Sequence, residues 1–189
     1  AGGDAGAGFF GGGYNGSTYF TSVDKFAFAD DSRTTLSATM ATAVQLMAAF
    51  GNSGVAGYLA GGNTGMGNIA TTNKFLFSDD SQSTLGSGLS SARNTQAGMS
   101  NVGTAGYVSG GEPGAQTTVD KFAFSDDGRT TLGTGLATGR RQLAAFANSG
   151  TAGYVAGGNQ GAASPTYYAT NIIDKLAFSD DGLSVLSAT

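Results

Sequence analysis

One stretch, written four times with small changes, constrains this chain more than any other feature. The copies are "VDKFAFADDSRTTL" (23–36), "TNKFLFSDDSQSTL" (72–85), "VDKFAFSDDGRTTL" (119–132) and "IDKLAFSDDGLSVL" (173–186). Their lysines, Lys25, Lys74, Lys121 and Lys175, mark a period of about fifty residues. A second phrase precedes each copy: "GFFGGG", "GYLAGG", "GYVSGG" and "GYVAGG". A third lies between one copy and the next: "LMAAFGNSGVA", "QAGMSNVGTA" and "QLAAFANSGTA". The order never changes, so the chain is a tandem array with repeats near 1–45, 46–95, 96–141 and 142–189.

Each repeat spells four short strands. "QLAAFANS" is apolar and ends in a turn, and "AGYVAGG" closes on two glycines where the backbone can turn sharply. "TTVDKFAFS" alternates, with Phe122 and Phe124 on one side and Val119, Lys121 and Ala123 on the other. Asp-Asp-Gly then signals a hairpin into "RTTLGTGL". A small antiparallel sheet cannot bury both of its faces alone, so the repeats must stack. The expectation is an all-β, β-propeller-like array of four-stranded antiparallel blades, large side chains of one face lying on small ones of the next.

Composition supports this and removes several functions. Gly supplies 33 of 189 residues and charged types only 12%, which suits many strands and tight turns. A net charge of −4 leaves no basic stripe for nucleic acid. No apolar run is long enough to span a membrane, and no cofactor motif is present. Without Cys there is neither a disulfide nor a thiol site. A surface rich in small polar residues leans toward an extracellular, cell-surface or virion-associated protein.

The paired glycines Gly12/Gly13, Gly61/Gly62, Gly110/Gly111 and Gly157/Gly158, with Arg93 and Arg140 ahead of the following first strands, give the chain a resemblance to kelch-repeat β-propellers. The family's tryptophan is replaced by Leu36, Leu85, Leu132 and Leu186, and Val44 stands where two repeats carry arginine. "SDDGRTTL" is also similar to the Asp-box of sialidase-type propellers, whose place is the turn between the third and fourth strands of a blade. The resemblance implies a blade architecture and no particular chemistry. The first repeat opens at its second strand, and the last ends after its fourth. A closed four-bladed ring, part of a longer array, and an open array completed by other subunits all fit. Open ends carry bare edges and apolar faces that invite head-to-tail association.

Candidate sites divide into recurring and variable positions. The Asp pairs at 30–31, 79–80, 126–127 and 180–181 could offer oxygens to calcium, chiefly through Asp31, Asp80, Asp127 and Asp181. The simpler reading is Asp at a turn, bonding its own following amides. The recurring lysines, with Arg93 and Arg140, are expected to lay their stems across a blade face and meet carboxylates at the rim. Catalysis has little material: no His, no Cys, and Glu112 as the one Glu. The loops after the double glycines differ between repeats, and there Tyr14, Asn15, Tyr19, Asn63, Asn159, Tyr167 and Tyr168 pair aromatic faces with amides. The sequence therefore leads to a non-enzymatic scaffold that binds itself or another protein. The alternative is a lectin-like module whose loops bind glycan.

Overall fold

The computed structural model describes residues 2–3, 6–161 and 168–186. The chain is all-β among these residues, in four antiparallel sheets of four strands. The first sheet holds β1 (Gly2–Gly3), β2 (Ala7–Gly11), β3 (Val23–Ala27) and β4 (Arg33–Thr35). The second holds β5 (Ala48–Asn52), β6 (Ala56–Ala60), β7 (Thr72–Leu76) and β8 (Gln82–Thr84). The third holds β9 (Ala97–Asn101), β10 (Ala105–Ser109), β11 (Val119–Ala123) and β12 (Arg129–Thr131). The fourth holds β13 (Ala144–Asn148), β14 (Ala152–Ala156), β15 (Ile173–Ala177) and β16 (Leu183–Leu186). Within each sheet the strands lie side by side in chain order. No helix among the described residues is long and apolar enough to cross a membrane. The first repeat does not open at its second strand: Gly2 and Gly3 pair with Phe9 and Gly8 as a short first strand.

The Asp-Asp hairpins join the third and fourth strands of every sheet. The first Asp of each pair accepts a hydrogen bond from the backbone N–H two residues on, at Ser32, Ser81, Gly128 and Gly182. The second sits in the left-handed region, at φ 57–58° in all four turns. Asp is among the few side-chain-bearing residues that tolerate this region. Local turn chemistry thus fixes the register of the outermost strand.

The double glycines connect one sheet to the next. Gly61 has φ +68°, and a Cβ there would lie 2.6 Å from the Arg93 carbonyl oxygen. Its neighbour Gly62 donates its N–H to that same carbonyl, as Gly111 does to Arg140 and Gly13 to Val44. Only a residue without a side chain permits so close an approach.

The sheets stack in sequence. The innermost strands touch in order, β1 on β5, β5 on β9 and β9 on β13. Three apolar cores fill the three junctions. Phe9, Leu59, Phe75 and Phe77 lie in the first; Phe50, Tyr58, Val108 and Phe122 in the second; Met99, Tyr107, Val155 and Leu176 in the third. The packing combines stacked rings, such as Phe50 on Phe122, with the large-on-small contact expected, Phe50 lying on Gly106 and Met99 on Gly153 of the next sheet. Space for it comes from the second strand, where a Cβ on Gly106 would fall 2.0 Å from the Phe50 ring.

Candidate functional site

The variable loops form one neighbourhood. Tyr14 and Tyr19 face each other across a bridge, with ring centroids 4.5 Å apart. Between them Asn15 uses its side-chain oxygen to accept from the backbone of Ser17 and Thr18, and the Tyr14 hydroxyl donates to the Gly16 carbonyl. Tyr19 also lies against Gly65, which brings the second loop beside the first. There Asn63 donates to Asn68 and accepts from Gly65. Asn159, in the fourth loop, donates to Gln142, and Tyr168 stands exposed nearby in sequence. Tyr167 lies outside the described residues. The three asparagine side chains are thus engaged in shaping loops, while Tyr14 and Tyr168 show their rings to solvent. Glu112, ion-paired with Arg141, joins the third loop to the segment that leads into the fourth repeat, a contact that no spacing in the sequence announced.

The recurring charges do something else. Lys25 Nζ reaches Asp80 at 2.7 Å, Lys74 reaches Asp127 at 2.6 Å, and Lys121 reaches Asp181 at 2.6 Å. Each bond crosses from one sheet to the next, and each ammonium lies over an aromatic ring of its own sheet: Phe9, Tyr58 or Tyr107. The Tyr58 hydroxyl donates to Asp127 and the Tyr107 hydroxyl to Asp181, both at 2.8 Å. Burial raises the pKa of both phenols, and the adjacent carboxylate raises it further. Asp80, Asp127 and Asp181, three of the four aspartates whose oxygens could be offered to calcium, therefore serve as acceptors in a lock between sheets. No group of three His, Cys, Asp or Glu side chains suited to a metal occurs among the described residues.

Arg93 and Arg140 are not at a rim. Both guanidinium side chains are fully buried, paired with the equally buried Asp120 and Asp174 of the following sheet. Arg93 also donates to the Val108 carbonyl, and Arg140 to the carbonyls of Gly157 and Ile172. Burial pushes the Asp120 carboxyl up, but hydrogen bonds from Thr131 and Ser90 and the charge of Arg93 outweigh it. Its pKa is held below the ordinary 3.8. At the junction where Val44 replaces arginine, the neutral Asn73 replaces the aspartate, buried and accepting from the Ala41 N–H. Charge is present at this point in pairs or not at all.

The two ends of the stack are different. The face of the first sheet turned away from the second exposes Phe10 and Phe28, at 57% and 59%. Phe26 packs edge-on against Phe10 there. The far face of the fourth sheet exposes Phe146 at 63%, stacked on Tyr154, while its counterpart Phe50 at an inner junction is 2% exposed. Strand β13 is open where β5 and β9 are closed. Among the described residues, Lys175 has no carboxylate partner and Asp31 no cation.

Fold and site together define a repeated-sheet all-β protein with two uncovered aromatic ends. No protein-family model matches this chain, and no curated protein matches it.

Proposed function

We propose that this chain is a non-enzymatic scaffold, built of kelch-like blades in propeller fashion, that assembles with itself through the faces of its terminal sheets. The observation that carries the reading is the pair of open aromatic faces, in a molecule that buries the same positions wherever one sheet meets another. A large apolar side chain gains about 1.5–3 kcal/mol on full burial. Several such side chains at each end make an exposed state costly and an assembled one favoured. A surface, filament or virion-type component is the setting this suits, consistent with a composition of small polar residues.

Light scattering over a concentration series tests the reading. Growth of mass with concentration, or a fixed multiple of 18.7 kDa, is expected. A constant 18.7 kDa contradicts assembly and shifts the function to the loops, where the exposed Tyr14 and Tyr168 would be screened against a glycan array.

A further inference from the structure

The two open ends carry complementary halves of a junction that the molecule already contains. At the second junction, Phe50, Tyr58 and Lys74 of one sheet receive Phe122, Phe124 and Asp127 of the next. The repeat places Phe146, Tyr154 and Lys175 at the corresponding positions of the fourth sheet. It places Phe26, Phe28 and Asp31 at the corresponding positions of the first. The residue types agree one for one. Both halves lack their partners: Phe28 and Phe146 are exposed, and neither Lys175 nor Asp31 has an ion pair among the described residues.

We propose that the partner of each end is a second copy of this chain, joined head to tail by this same contact set. Lys175 of one copy pairs with Asp31 of the next, and the Tyr154 hydroxyl donates to that carboxylate as Tyr58 does to Asp127. The rings of Phe146 and Tyr154 stack on Phe26 and Phe28, as Phe50 and Tyr58 do on Phe122 and Phe124. The contact joins unlike surfaces, so its rotation closes a ring or extends a filament. Positive meets negative in this pairing alone, since two fourth-sheet faces would oppose two lysines and two first-sheet faces two aspartates.

This inference rests on the assembly reading, and charge reversal separates the two. Asp31→Lys and Lys175→Asp are made singly, and association of each variant and of their equimolar mixture is measured by light scattering. Each variant alone is expected to associate at least about thirty-fold more weakly than the unaltered chain, with unchanged circular dichroism. The mixture is expected to regain association, because the unaltered Lys175 of one variant meets the unaltered Asp31 of the other. Misfolding would not be rescued by mixing. If the unaltered chain assembles and both variants assemble equally well, assembly stands and this pairing is overturned. If mixing restores nothing, the pairing is likewise overturned. A unaltered chain of constant single-copy mass removes the assembly reading and this inference together, leaving the chain's own opposite end or an unrelated protein as the occupant.

Discussion

At the scale of single residues, the most exacting contact is the buried arginine–aspartate pair. Arg93 and Asp120 are both fully buried, and taking either away leaves a charge in a place without water. The molecule supplies its own control in Val44 and Asn73, the uncharged solution at the first junction. Asp120→Asn should therefore cost about 3–5 kcal/mol in urea unfolding, and adding Arg93→Val should restore most of it. Additive losses in the double variant would mean that the pair is not a unit. The sequence made Arg93 and Arg140 visible as recurring residues but not as buried ones. Their partners, Asp120 and Asp174, stand next to the recurring lysines, where strand alternation alone cannot tell a solvated side from one facing another sheet.

Individual strands and turns were the most legible features. Phe–Lys alternation and the Asp-Asp turns place every third and fourth strand, because period-two burial and left-handed Asp are local properties. Contacts between elements were less legible. Leu46, Thr95 and Gln142 all take positive φ without being glycine, an arrangement that no residue preference signals. Their reason lies outside the turn: the Thr95 N–H donates to the Leu46 carbonyl, and the Gln142 N–H to the Thr95 carbonyl, linking successive sheets along their inner ends. The glycines show the same division between local and long-range demands. Gly54 has φ +75° with nothing near its missing Cβ, whereas Gly61 has φ +68° with Gln96 at 2.5 Å and the Arg93 carbonyl at 2.6 Å. Gly54→Ala should cost about 1–2 kcal/mol from backbone strain alone. Gly61→Ala should cost about 2–5 kcal/mol, since it adds a clash with the next sheet. Thermal unfolding of the two variants checks the order, and equal losses would remove the junction role of the double glycine.

Across the whole molecule, one count explains the ends: four sheets in a row make three junctions. Four copies of the lysine and four of the second aspartate give three pairs and leave Lys175 and Asp31 over. That arithmetic was present in the sequence as soon as the period was recognised. What the sequence withheld was which residues share a face across a junction, so the aromatic sets around Phe146 and Phe28 are not legible there as a pair. The loop tyrosines stand out in the sequence instead, because they differ from repeat to repeat. The most direct measurement is hydrogen exchange, read peptide by peptide, at a dilute and a concentrated condition. Assembly through the terminal faces predicts slower exchange on concentration in 23–33 and 144–156, with the second and third sheets unchanged. Unchanged exchange at both ends under conditions where the mass has grown, or protection gained only in the loops, would contradict it.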